Sequence, residues 1–177
     1  MIPQEDRQFP AELAAAMAVR LDCIGEDSVD FEPYEAFLSA DATTDWFRAW
    51  TGNGDLDGDA FRVFGQDGTG GCAAFWLVRP GRELREQPVV FLGSEGETGV
   101  IARDLASFLW LLADGFGPWE AATADEPESD WAPRTNEALV GIAQHHAPGC
   151  QASAQAVIAQ AAQEFPDFDA VIMGLCR

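Results

Sequence analysis

Asn53, Asp55, Asp57 and Gly58, in "NGDLDGDAFRVF", stand at the spacing that opens an EF-hand calcium loop. Such a loop closes on a bidentate Glu at its twelfth position, and Phe64 stands there instead. A second cluster, "FGQDGTGG", sets Gly65 and Gly70 at the spacing of a phosphate-cradling loop. That chemistry needs a Lys and a hydroxyl next, and Gly71 and Cys72 fill those places. The dinucleotide pattern of glycines does not fit either, because it must open a helix and "CAAFWLV" reads as a strand. A third segment, "FLGSEGE", approaches the nucleophile elbow G-x-S-x-G, but Leu92 replaces its first glycine and another strand follows. The only two histidines, His145 and His146, are adjacent and point in different directions on a helix. His146 falls near the apolar face of that helix and reads as a packing residue. No His or Cys pair has zinc-ligand spacing.

Carboxylates are what remains. Asp55, Asp57, Asp59, Asp67, Glu95 and Glu97 all fall on loops between expected strands. Two that converge could serve as acid and base, alone or around a divalent cation. With 30 acidic residues in the chain, some proximity arises by chance, and a solvated face is the simpler account.

The bulk charge narrows the partners. Thirty acidic against ten basic residues give a formal net charge of -20. Such a field repels nucleic-acid phosphates and anionic membrane surfaces. It also attracts basic proteins, with strong salt dependence, besides conferring solubility. The tryptophans Trp46, Trp50, Trp76 and Trp110 lack the accompanying cations that single-stranded nucleic-acid binders use. The four cysteines, Cys23, Cys72, Cys150 and Cys176, form no CxxC pair and read as reduced, mostly buried thiols. The opening "MIPQEDRQFP" has no apolar leader, and Leu105 to Ala113 is too short to cross a bilayer. A cytoplasmic protein without a cofactor or metal is expected.

The elements that hold these residues can be read from periodicity. Pro10 opens a helix with Ala14, Met17, Ala18 and Leu21 on one face. "SVDFEPYEAFLSA" predicts a second, short helix from about Pro33, and "DATTDWFRAW" a third, ended by "TGNG". "AFRVF", "CAAFWLV", "PVVFLG" and "TGVIA" predict four strands, antiparallel because their connections are too short for crossover helices. "CAAFWLV" is apolar on both alternating sets, so both its faces should be covered. Leu105, Phe108, Leu109 and Leu112 mark a strong helix, with Asp104 at its start and Gly115 past its end. "ATADEPESDWAPRT" reads as a linker or long loop, followed by two closing helices, "NEALVGIAQHH" and "SAQAVIAQAAQEF". On the latter, Ala154, Val157, Ile158, Ala161 and Phe165 share a face. The glycine cluster then becomes a tight hairpin between two strands. At 177 residues the chain has the length of one domain.

Taken in order, "YEAFL", "FRVFGQDGTGGCAAFWL" and "QPVVFLGSEGETGVIARDLASFLWLLADGFGPWE" resemble the SUKH superfamily, typified by the fungal Smi/Knr cell-wall-synthesis regulators. The matching positions include Gly65, Asp67, Gly68, Gly70, Gly71, Trp76, Pro88, Gly93, Glu95, Gly96, Leu105 and Phe108. The likeness covers roughly residues 30 to 120; "DATTDWFRAWTGNGDLDGD" is longer than the usual link, and the C-terminal helices lie outside the match. The resemblance implies an α+β fold, a mostly antiparallel sheet of four to six strands with helices packed against it. It implies a binding protein rather than an enzyme. Bacterial members are largely immunity proteins that neutralise cognate toxins, often nucleases, by direct contact. A strongly acidic protein suits a basic toxin domain. On this reading Asp55, Asp57, Asp59, Asp67, Glu95 and Glu97 form part of the partner surface. Two other functions stay open: a small carboxylate- or divalent-cation-dependent enzyme, and an intracellular regulatory or scaffolding module.

Overall fold

The computed structural model describes residues 6–21, 29–124 and 132–177. Five strands form one fully antiparallel sheet, in the spatial order in which the chain makes them. They are β1 (Glu32–Pro33), β2 (Phe61–Gln66), β3 (Cys72–Trp76), β4 (Val89–Leu92) and β5 (Thr98–Ala102). Among the described residues, seven α-helices complete an α+β fold: α1 (Ala11–Met17), α2 (Ala40–Thr51), α3 (Leu105–Ala113), α4 (Pro118–Ala122), α5 (Glu137–His146), α6 (Ala154–Glu164) and α7 (Phe168–Met173).

The period-two apolar pattern of the strands decides the layering. Ala73 and Phe75 of β3 and Val89 and Phe91 of β4 face one core, which α1, α3 and α5 close with Leu13, Phe108, Leu109, Leu139 and Ala143. Cys72 and Ala74 of β3 and Val90 and Leu92 of β4 face the other, closed by Phe47 of α2, Ala161 of α6 and Phe168 and Ile172 of α7. β3 is therefore covered on both sides, as its double apolar set requires. α6 passes from one core to the other, giving Ala154 and Val157 to the first and Ala161 to the second.

The helix ends follow from their capping residues. Ser39 accepts from the Ala42 amide at 3.2 Å and starts α2. Gly52, with φ of 64°, stops it in the left-handed region. Asp104 accepts from the Ser107 amide at 2.8 Å and starts α3.

Four expectations need correction. No helix begins at Pro33. The Tyr34 and Leu38 amides donate to the Phe64 and Val63 carbonyls, so this segment lies along the edge of β2 and contributes the two-residue β1. Its side chains clasp that edge: Phe31 and Phe37 enter the first core, while Tyr34 and Leu38 pack against the second. Of the face expected for α1, Met17 and Leu21 are buried but Ala14 and Ala18 are exposed; Leu13 and Ala16 are buried instead, because the one leucine of α1 decides which side is inward. α4 forms just ahead of the acidic stretch, with Pro118 at its first turn, and α7 adds a third C-terminal helix. His146 is exposed rather than packed, since the buried stripe of α5 runs through Leu139 and Ala143. Of the cysteines, Cys72 is buried, Cys176 half-buried and Cys150 exposed, while Cys23 lies outside the described residues. Most of the acidic linker, 125–131, also lies outside them. Among the described residues, no helix is long and apolar enough to cross a membrane.

Candidate functional site

An antiparallel meander puts alternate connections at opposite ends of its sheet. The β2–β3 and β4–β5 turns share one end, and the long β3–β4 connection lies at the other. The two turns touch: the Ser94 and Thr69 hydroxyls lie 2.9 Å apart. Trp50, at the end of α2, donates its indole N–H to the Gly93 carbonyl at 2.7 Å and anchors the second turn.

Asp67 builds the first turn from inside. One of its carboxylate oxygens accepts from the Thr69 amide at 2.9 Å, the Thr69 hydroxyl at 2.8 Å and the Gly71 amide at 2.8 Å. The side chain is only 3% exposed. An Asp that satisfies three donors in this way replaces the turn's missing backbone bonds. Gly70 supplies the positive φ of 94° that the reversal needs. Gly71 is required by space: a Cβ there would lie 2.6 Å from the Phe91 ring. The glycine cluster is thus a bend in the sheet, and no helix follows it.

Glu97 plays a similar part in the second turn, accepting from the Glu95 amide at 3.2 Å. Glu95 itself projects into solvent. The same end carries two acids from the edge segment. Asp30 accepts from the Gly68 amide at 3.1 Å, and Glu32 is exposed on β1 opposite Gln66. Arg20 lines a groove beside Asp30 and Glu32.

The six acids singled out in the sequence therefore do not form one cluster. Asp67, Glu95 and Glu97 share the turn end. Asp55, Asp57 and Asp59 lie on the loop between α2 and β2. That loop runs back along α2, with the Gly58 amide donating to the Thr44 hydroxyl at 3.0 Å. Asp55 pairs with Arg177 at 2.7 Å, and Asp57 accepts from the Asp59 amide at 3.2 Å. Among the described residues, no three His, Cys, Asp or Glu side chains gather as a metal site. Asp30 and Glu32 were not singled out, because their segment reads as a helix by spacing. The signal that points to them is their place on either side of Phe31, which with Tyr34 staples the sheet edge.

The buried thiol beside this end is inert. Burial pushes the Cys72 pKa up to about 11, so it stays protonated at neutral pH. Tyr34, pushed up to about 12 by its own burial, donates to Gln66 at 2.8 Å and stays neutral too.

The opposite end is different in kind. All ten basic residues of the chain are arginines, and four of them, Arg79, Arg82, Arg85 and Arg103, line one cleft of about 530 Å³. Arg79 donates to the Glu86 and Arg103 carbonyls and pairs with Glu164, tying the β3–β4 connection to the end of β5 and to α6. Arg82 pairs with Glu86 at 3.1 Å, and Arg85 with Glu12 and Glu83, each at 3.1 Å. The molecule thus carries an acid-rich turn end and, at the other end of its sheet, its main concentration of cations, paired with carboxylates.

Compared with models of known families, with curated proteins and with solved structures, the chain gives no match.

Proposed function

We propose that this protein is a protein-binding module of the SUKH type, an immunity protein that neutralises a basic toxin domain by direct contact. The observation that carries the reading is the composition of the turn end. The segments 29–38, 63–78 and 88–102, which supply it, hold Asp30, Glu32, Glu35, Asp67, Glu95 and Glu97 and no basic residue. A rigid sheet end with an excess of negative charge speeds capture of a basic partner and rejects acidic ones. A nuclease groove built to hold phosphates is such a partner. The two motifs of the resemblance, "FGQDGTGG" and "LGSEGE", are the two turns that touch there. Their internal acids, Asp67 and Glu97, hold the shape, while Glu32 and Glu95 are exposed to meet the partner.

The test first reads the neighbouring gene, which on this proposal encodes a protein ending in a toxin-like domain, and then uses that domain. Co-expression should rescue cells from that domain, and the purified pair should bind less tightly as salt rises. Charge reversal at two exposed positions, Glu32→Lys with Glu95→Lys, should weaken binding by about tenfold or more, chiefly through a slower association rate. Rescue and affinity unchanged by this double substitution would remove the turn end as the partner surface. No complex with the neighbouring domain would sink the immunity reading itself.

A further inference from the structure

The cleft at the other end of the sheet has the make-up of a ligand site. Its floor is apolar, formed by Leu105, Ala106 and Leu109, and His146 stands at its margin. Its size falls within the range of small-molecule pockets, and its lining is mostly charged, eight of its twelve residues being Arg, Asp or Glu. Arg79 is fixed by backbone carbonyls and holds the architecture together. The other three arginines keep their side chains half exposed: Arg82 64%, Arg85 57% and Arg103 50%. Arg103 has its carboxylate contact with its own neighbour Asp104, at a loose 3.6 Å, while that Asp caps α3 with its other oxygen. Such a pair bridges no two elements and leaves the guanidinium directed to the cleft rim.

We propose that this cleft binds a small organic anion, an apolar body bearing a phosphate or carboxylate group. The guanidinium fork matches both groups in two-point contact. Exposed ion pairs contribute little, so an incoming anion exchanges with Glu86, Glu12 or Asp104 at small cost. The cleft is also where a chain of net charge -20 offsets its acids locally, with four arginines facing the four lining carboxylates Glu12, Glu86, Asp104 and Glu164. The proposal does not depend on the protein-binding reading, which concerns the opposite end.

Calorimetry with phenyl phosphate, benzoate and inorganic phosphate tests it on the full chain. Saturable one-to-one binding of phenyl phosphate or benzoate is expected, and the tighter of the two names the head group. Phenyl phosphate should bind more tightly than inorganic phosphate, because the floor takes the ring. The rim variant Arg82→Gln with Arg103→Gln, which leaves Arg79 in place, should weaken binding by about tenfold. Glu12→Gln, which takes one of the two carboxylate partners from Arg85, should tighten it, whereas a purely structural ion-pair network predicts no gain. The idea is overturned by no saturable binding of any of the three, by equal affinity in the rim variant, by inorganic phosphate matching phenyl phosphate, or by weaker binding to Glu12→Gln. Unchanged circular dichroism and thermal midpoint in each variant separate lost binding from lost fold.

Discussion

Glu120 is a carboxylic acid placed where it resists ionising. It is 6% exposed; one oxygen accepts from the Asp30 amide at 3.3 Å, and the other has no partner. Burial pushes its pKa above the usual 4.5, and the nearby Asp30 charge adds to that, against the opposing effect of backbone donors. The folded state therefore holds this proton more tightly than the unfolded chain does. Stability from the neutral carboxyl is complete below the unfolded value of about 4.5 and is lost as pH rises through the raised folded value. Glu120→Gln removes the ionisation, so its stability relative to the parent should grow as pH rises above the unfolded value of about 4.5. Chemical denaturation of both proteins across that range checks it, and a constant difference would show that Glu120 ionises freely. At this scale the sequence was informative about type and poor about role. Asp67 and Glu97 were visible as loop acids, but whether a loop Asp faces solvent or folds back on its own amides depends on backbone dihedrals. No residue spacing states these. Four arginines over 25 positions, Arg79 to Arg103, likewise converge only because β4 and β5 turn the chain back twice.

Among the elements, those bounded by Gly or Pro were legible, because punctuation and period agree there. β2 to β5, α2, α3, α5 and α6 stand where their apolar runs put them. "VDFEPYEAFL" was not, for a physical reason. Phe31, Tyr34, Phe37 and Leu38 are spaced as one helix face, yet they serve two cores across the sheet edge. The amides find β2 carbonyls instead of helical ones, and tertiary pairing overrides local spacing. Strand edges left open invite association, and this segment covers one. α7 has six residues, too few to display a helical period, so only packing defines it. That packing is testable. The Phe168 ring is 3% exposed and its centroid lies 5.0 Å from that of Trp76. Phe168→Ala should cost ~3–5 kcal/mol in denaturant unfolding. Val171→Ala on the same helix, where Val171 is 49% exposed, should cost under ~0.5 kcal/mol. Equal small effects from both would mean that α7 does not close the second core.

For the whole molecule, charge and fold act against each other. Folding brings 30 acidic residues into a compact volume with only ten arginines, so self-repulsion opposes the compact state. Salt then has two effects of opposite sign. It screens the favourable arginine pairs, and it screens the repulsion among the remaining acids. The pairs at the cleft are largely exposed, and each contributes ~0–1 kcal/mol. The repulsion sums over a net charge of -20, and at low ionic strength it reaches across the molecule, the Debye length being about 30 Å at ~0.01 M and about 8 Å at ~0.15 M. Repulsion is the larger sum, so the thermal midpoint should rise with sodium chloride from ~0.01 to ~0.15 M, most steeply at the low end. On the proposed function, the same screening weakens capture of a basic partner at the turn end, so stability and affinity should move in opposite directions over one salt titration. Scanning calorimetry of the free protein alongside binding of the partner that the proposed function requires reads both. A midpoint that falls with salt would mean that the arginine pairs, not the excess acids, dominate the electrostatics of this fold.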